Sequence, residues 1–228
     1  MRNKLLYVLA GVAAVLLARN IYLIAGLPDE AAQGAIFKII FFHVPLAITA
    51  FCCGTVACIA SILYLVKKDM KYDTVAVSVT EVGLAFLAGN LITGSIWARV
   101  IWGIWWAWDV RLTSALVCWI LYASYLMIRH AIEEPTQRAT LAAVVSIFAF
   151  LDIPIVILSI RLFRTQHPGP VFLSSTGSFP HDWTMIIFGP LGNQLALLLI
   201  ATVMTMVRLG QEQSQREIDA LRREAHAF

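Results

Sequence analysis

Six long apolar segments alternate with short polar ones along this chain. They cover roughly residues 5–26, 39–66, 75–97, 112–128, 139–160 and 183–207. A helix needs about 20 apolar residues to cross the hydrocarbon core of a bilayer. Because unpaired backbone groups are not tolerated in lipid, these segments must be helices rather than strands. The pattern predicts an all-α, polytopic membrane protein with six transmembrane helices, in which the fourth is short and the second is longer than one span.

The composition agrees with a membrane protein. Of the 228 residues, 60% are hydrophobic and 14% are charged, whereas a soluble domain has about 25% charged residues. The net charge of +3 is scattered along the chain, so no nucleic-acid partner is expected. The four cysteines lie in apolar runs and form no Cys-x-x-Cys motif, which argues against a thiol redox protein and against a c-type cytochrome.

The distribution of lysine and arginine orients the predicted helices. One side of the bundle has eleven of these residues and the other has six. The richer side is expected to be cytoplasmic, which places both termini inside. Arg2 and Lys4 precede an apolar stretch without a convincing cleavage site, so this stretch is interpreted as a retained first helix. We expect a single domain, residues 1–228, with a short solvated cytoplasmic tail over 208–228 and outer loops over 28–38, 98–111 and 161–182.

All seven tryptophans lie in the outward half of the chain in this orientation, and five of them fall within residues 97–108. An ordinary aromatic belt would populate both membrane interfaces. The spacing of Trp102, Trp105 and Trp106 predicts that their rings share one face of a helix. Beside Asp109 and Arg111, these indoles would form a flat apolar platform for a large planar ligand. A dense interfacial anchor is the alternative interpretation.

Two histidines are candidates for metal ligands on the same outer side. His43 lies a few residues into the second span, at its outer end, where Pro45 is tolerated if it occupies the first helical turn. His167 lies in the loop Thr-Gln-His-Pro-Gly. Each has a plain alternative, as a bundle-packing histidine or a solvated turn histidine. His181 is a competitor on the same side, whereas His130 and the C-terminal histidine lie about a membrane thickness away.

The segment Trp102-Gly-Ile-Trp-Trp-Ala-Trp-Asp-Val-Arg-Leu-Thr113 resembles the tryptophan-rich WWD signature of haem-handling proteins. With Phe42-His-Val-Pro45, Ile153-Pro154, Thr165-Gln-His-Pro-Gly169 and six spans, the chain is similar to the CcmC family, the haem exporter proteins C of cytochrome c maturation. The larger families that share the signature are expected to have more spans. One departure is Asp152, where a neutral Asn is expected; it is predicted to be protonated or partnered within the bundle.

The resemblance implies a haem-binding protein rather than an enzyme. It assigns His43 and His167 as axial ligands of a haem b iron. Arg111 is the first candidate for pairing with a propionate, ahead of Arg99 and Arg164, and Asp109 is expected to orient neighbouring groups rather than to bind iron. The residues assigned to contact with the cofactor are Trp102, Gly103, Trp105, Trp106, Trp108, Asp109 and Arg111.

The resemblance also implies a location and partners. The chain would lie in the lipid of the bacterial inner membrane with its haem site facing the periplasm. It would deliver haem to the periplasmic chaperone CcmE, with the small membrane protein CcmD and the CcmA–CcmB ABC transporter as further partners. No G-x-x-x-x-G-K-[ST] motif occurs in the chain, so energy must come from a partner.

Two other functions stay open at this point. A haem transporter would need a polar route through the spans, for which Glu81, Asn90 and Asp152 are thin support. An electron-transferring cytochrome b would need haem ligands at two depths in the membrane, whereas the candidates here cluster on one side.

The orientation can be tested with a reporter that is active only in the cytoplasm. Fused after residue 70, after residue 134 or at the C-terminus, it should be active, and at residue 175 it should be inactive. Activity at residue 175 would reverse the assignment of all three outer loops.

Overall fold

The computed structural model describes residues 2–169 and 179–225, and within these ranges the regular structure is helical. Position 175 and the C-terminal histidine lie outside the described residues. The helices in chain order are α1 (Arg2–Ala25), a short 3₁₀ helix (Ala35–Ile39), α2 (Ile40–Lys67), α3 (Met70–Ile101), α4 (Val110–Ala131), α5 (Pro135–Phe150), α6 (Asp152–Leu162), α7 (His181–Phe188) and α8 (Asn193–Ala225).

Six helical stretches are long and apolar enough to cross a membrane. This confirms the predicted all-α, six-span architecture, and the chain is a multi-pass membrane protein. The fifth crossing consists of α5 and α6, which meet at Leu151, and Pro154 lies in the first turn of α6. The sixth consists of α7 and α8, separated by residues 189–192. Helices α2 and α3 pair along their length and form the centre of the bundle, while α1 packs on α8.

The position of Pro45 differs from the prediction. Helix α2 begins at Ile40, so Pro45 lies in its second turn rather than its first. Proline has no N–H to donate to the carbonyl of Phe41, four residues earlier. The side-chain amide of Asn193 donates to that carbonyl instead, at 2.9 Å, and Asn193 is fully buried. This bond holds the start of α8 against α2, two residues from His43.

A buried ion-pair network ties the opposite end of the bundle together. The guanidinium of Arg129 on α4 binds the Asp73 carboxylate on α3 through two bonds of 2.6 and 3.1 Å. Arg216 on α8 binds the same carboxylate at 2.5 Å, and Arg208 pairs with Glu81. The expected cytoplasmic tail is helical and continues α8 up to residue 225, and two of its arginines, Arg208 and Arg216, bind carboxylates of α3.

The buried carboxylate of Asp73 should be essential for stability. In an Asp73→Ala variant, Arg129 would lose its main partner while its side chain stays 7% exposed, and such a change costs about 3–5 kcal/mol. Thermal unfolding of the purified protein should show a clear drop in midpoint. Asp29→Ala is the matched control, because Asp29 is 62% exposed in its pair with Lys38 and exposed pairs contribute about 1 kcal/mol or less. Equal midpoints for the two variants would contradict this role of Asp73.

Candidate functional site

Two cavities meet at the end of the bundle that is predicted to face outward, here called the outer end. The first, the tryptophan cleft, has about 580 Å³ of space and is lined by Trp97, Trp102 and Trp106 with Asn90 and Val156 among others. The second, the lateral cavity, has about 900 Å³ and is lined mainly by apolar side chains from the 3₁₀ helix, α2 and α6. The residues that line both are His43, Gly94, Trp97, Arg111 and His167.

The two predicted histidine ligands lie side by side in this region. The ring centroids of His43 and His167 are 6.4 Å apart, and their planes differ by 28°. His43 lies at the end of the first turn of α2, and His167 lies in the loop after α6. The structure therefore brings together two residues that are more than a hundred positions apart in the sequence.

Polar side chains of α3 hold the imidazole of His43. Its Nδ1 lies 2.9 Å from the hydroxyl oxygen of Thr93. The single Thr93 proton is directed to the carbonyls of Gly89 and Asn90, at 2.8 and 3.0 Å. The Thr93 hydroxyl and the Asn90 amide therefore both lie against this ring nitrogen. The amide nitrogen of Asn90 donates to the His43 carbonyl at 2.9 Å and lies 3.2 Å from Nδ1 and 3.4 Å from Nε2.

The residues that support His43 share one face of α3. Asn90, Thr93, Gly94 and Trp97 follow the helical spacing of three and four. A Cβ atom at Gly94 would lie 3.0 Å from Cε1 of His43, so a larger residue would push the imidazole away. Sequence reasoning noted Asn90 only as a polar residue in a span and missed Thr93 and Gly94. The sequence signal that could have identified them is their helical spacing from Asn90 to Trp97.

The carbonyl of Pro168 fixes which nitrogen of His167 carries the proton. Its Nδ1 lies 2.8 Å from the Pro168 carbonyl, which can only accept, so Nδ1 carries the proton and Nε2 has the lone pair. Burial, followed by the positive charge of Arg111, lowers the pKa of His167 to about 4. The ring is therefore neutral at neutral pH, and neutral imidazole is the form that binds metals.

Asp109 joins the tryptophan loop to the loop that carries His167. One carboxylate oxygen caps α4 by accepting from the Leu112 N–H at 2.8 Å. The other accepts from the Thr165 hydroxyl at 2.5 Å and from the Gln166 N–H at 3.0 Å, and Thr165 in turn accepts from the His167 N–H at 3.1 Å. Although partial burial opposes it, these hydrogen bonds keep the pKa of Asp109 below its ordinary value.

The tryptophans do not share a helical face, so that prediction is wrong. Helix α3 ends at Ile101, and residues 102–109 form an irregular loop in which Gly103 has a φ of +75°, a conformation that favours glycine. Trp102 and Trp106 line the cleft, where Trp102 packs edge-on against Trp97 at 5.0 Å. Trp105 and Trp108 line neither cavity and are 59% and 78% exposed.

The three arginines that are candidates for pairing with a propionate have different surroundings. Arg111 lines both cavities and donates one bond, to the Val156 carbonyl at 2.9 Å. Arg99 donates to the Gly103 carbonyl and lies over the Trp105 ring, so it holds the loop. Arg164 is exposed and lines neither cavity. The indole Nε1 of Trp106 is buried and has no acceptor among the described residues, so the cleft offers a cation and a free donor.

The other histidines lie apart from this pair. The side chain of His181 at the start of α7 is 84% exposed, beside Asp182, and lines neither cavity. His130 lies at the opposite end of α4. Asp152 begins α6, and its Oδ2 is buried without a hydrogen-bond partner among the described residues.

The fold and this site define a class: a six-span helical membrane protein that carries two adjacent histidines and a tryptophan loop at one end of its bundle. Comparison with known proteins identifies the family. The family model "Heme exporter protein C" (CcmC) matches residues 1–224, and the chain belongs to this family, as its signature suggested.

Curated relatives agree with that assignment. Heme exporter protein C of Bradyrhizobium diazoefficiens is 33% identical over 210 residues, which is 92% of this chain and 77% of that protein. The protein of the same name from Paracoccus denitrificans is 36% identical over 129 residues, 55% of this chain and 54% of that protein. The one from Escherichia coli K12 is 28% identical over 186 residues, 80% and 72% of the two chains.

The joint made by Asp109 can be tested by hydrogen exchange. In Asp109→Asn, the amide oxygen can still cap α4, but its NH₂ group cannot accept from Gln166. We expect faster amide exchange at Gln166 and His167, with the protection of α4 retained. Asp182→Asn, at a 96% exposed carboxylate, is the control and should change neither. Unchanged exchange at Gln166 in Asp109→Asn would show that the two loops are held together in another way.

Proposed function

We propose that this protein binds haem b between His43 and His167 at the periplasmic face of the inner membrane and delivers it to the chaperone CcmE for cytochrome c maturation. The observation that carries the proposal is the pair of adjacent imidazoles, each held by a hydrogen-bond partner at Nδ1. Haem supplies an iron with two axial positions that imidazoles can fill.

The spacing of the two rings suits ligation of one iron. A metal–imidazole bond is about 2 Å long, and the bonded nitrogen lies about 1 Å from its ring centroid, so two axial imidazoles have centroids about 6 Å apart. The observed separation is 6.4 Å. Nδ1 of His43 has a hydrogen-bond partner in Thr93, and Nδ1 of His167 has one in the Pro168 carbonyl. Metal-binding histidines normally have such a partner at the nitrogen that does not bind the metal, because it orients the ring.

The site suits haem better than a bare metal ion. The described residues contain no group of three or more His, Cys, Asp or Glu side chains that could hold an ion. Two histidines are sufficient for haem, because the porphyrin itself supplies four equatorial nitrogens. The tryptophan cleft and the lateral cavity lie beside both histidines and offer aromatic and aliphatic walls for the ring.

Arg111 and Trp106 are suited to the polar edge of haem. A guanidinium binds carboxylates through paired, charge-assisted bonds, and Arg111 lines both cavities. The buried Nε1–H of Trp106 is a second donor in the same cleft. We assign Arg111 to a propionate and Trp106 to a polar contact with the same ligand.

The arrangement supports handling of haem rather than passage or electron transfer. The cavity deeper in the bundle, between Gly83 on α3 and Tyr122 on α4, has about 250 Å³ and is smaller than either outer cavity. The candidate ligands also lie at one end only, which favours one haem per chain. Trp105 and Trp108, exposed on the loop, would form the contact surface for CcmE. CcmD and the CcmA–CcmB transporter are the further partners that we propose.

Histidine variants test the proposal through the spectrum of the bound haem. Wild-type protein should carry one low-spin, six-coordinate haem per chain. His43→Ala and His167→Ala should each give a five-coordinate or water-ligated iron that is held more weakly, because Arg111 and the tryptophans still contact the porphyrin. Free imidazole should partly restore each spectrum, since it has the chemistry of the lost side chain.

His181→Ala is the control, and it should keep the wild-type spectrum and haem content. Loss of the low-spin spectrum in His181→Ala, with His167→Ala unaffected, would contradict the ligand assignment. Two reducible haems per chain would support the cytochrome b alternative instead. Transfer to purified CcmE, followed as haem appearing on the chaperone, should be slower in both ligand variants.

A further inference from the structure

A second polar cavity lies far from the histidine pair, at the arginine-rich end of the bundle. It is lined from α3, α4, α5 and α8 and has about 980 Å³ of space. Along α3 it begins at Glu81, thirteen residues before Gly94 of the outer site, which is about 20 Å at 1.5 Å per residue. The charged groups that line it are Arg129, Arg138, Arg208, Arg216, Glu81, Glu212 and Asp219.

Most of these charges are already paired. Arg129 and Arg216 bind Asp73, with Glu212 bonded to Arg216 at 2.9 Å, and Arg208 pairs with Glu81. Asp219 accepts from Gln215 at 2.9 Å and faces Arg222 at 3.9 Å.

Arg138 differs in how far its charge is compensated. Its Nε is buried without a hydrogen-bond acceptor among the described residues, whereas the Nε of Arg208, which also lacks an aligned hydrogen bond, has the Glu81 carboxylate against it. Glu134, one turn before Arg138, attracts it through its charge but uses its carboxylate oxygens to cap α5 through the N–H groups of Thr136 and Gln137. A guanidinium in a cavity lined by further arginines is a binding group for phosphate or carboxylate.

The position of Arg138 in the membrane indicates where the anion comes from. It lies one turn from the start of α5, close to the turn that joins α4 and α5, and helix ends of this kind lie at the headgroup layer of a bilayer. Beyond it, α5 exposes the apolar side chains of Leu141, Val144 and Phe148, which are 43%, 52% and 60% exposed. A phosphate held at Arg138 would therefore continue into a lipid-facing stripe that can carry an acyl chain.

We propose that this cavity binds the phosphate of an anionic glycerophospholipid, anchored by Arg138, with an acyl chain along the exposed stripe of α5. Basic pockets between transmembrane helices are suited to anionic headgroups. The site is independent of the proposed haem site, since it shares no lining residue with the two outer cavities.

Native mass spectrometry of the delipidated, full-length protein tests this. Phosphatidylglycerol should bind with at least one more tightly held molecule than phosphatidylcholine and should raise the unfolding midpoint more. Arg138→Gln should weaken phosphatidylglycerol binding about tenfold or more, because a charge-assisted fork is lost. Arg138→Lys keeps the charge but not the forked guanidinium, so its affinity for phosphatidylglycerol should lie between those of the wild type and Arg138→Gln. It replaces Arg138→Gln in the test if that variant does not fold.

Arg161→Gln is the matched control. It removes one exposed arginine from the other end of the bundle, and it should bind phosphatidylglycerol as the wild type does. Equal binding of the two lipids, or an Arg138→Gln variant that binds phosphatidylglycerol normally, would overturn the proposal. Displacement of the lipid by millimolar inorganic phosphate would also overturn it, in favour of a site for a free anion.

Discussion

The outer site depends on the carboxylate of Asp109 more than on any other single group. It caps α4 and also binds Thr165 and Gln166, so that one side chain fixes the start of α4 relative to the His167 loop. His43 is held independently by Thr93 and Asn90 on α3. The separation of the two imidazoles therefore depends on how α3 and α4 pack against each other. Asp109 fixes the position of the His167 loop, which has little regular structure, relative to α4.

The two ends of the bundle differ in whether their polar side chains have partners within the protein. At the arginine-rich end, Asp73 is shared by Arg129 and Arg216, so its charge is compensated by protein. At the outer end, Arg111 makes one protein hydrogen bond and the Trp106 indole N–H makes none among the described residues. Donors left available beside two histidine rings are what a ligand-binding end requires.

The architecture could be read from the sequence because hydrophobicity over about 20 residues reports membrane crossing directly. The pairing of His43 with His167 was also predictable, since the orientation of the spans placed both on one side. The prediction that failed assumed that helical spacing continues beyond the end of α3. Trp102, Trp105 and Trp106 have helical spacing, but Gly103 turns the chain, and only two of the three rings face the cleft.

Tertiary partners account for most of the remaining differences. Pro45 could lie in the second turn of α2 because a buried amide from α8, 148 positions away, replaces the missing donor. Asp73 could lie inside a buried helix because Arg129 and Arg216 reach it. The helix propensities of neighbouring residues predict neither arrangement, because both depend on residues far away in the sequence. The support from Thr93 and Gly94, by contrast, was visible in the helical spacing that ends at Trp97.

The central claim is that one iron is shared by the imidazoles of α2 and of the loop after α6. A structure of the haem-loaded protein, determined by cryo-electron microscopy in a lipid nanodisc, tests it most directly. The account predicts iron bonded to Nε2 of both His43 and His167, with a propionate at Arg111 and the ring against Trp102 and Trp106. Iron bonded to His181, or haem lying outside the two outer cavities, would contradict it.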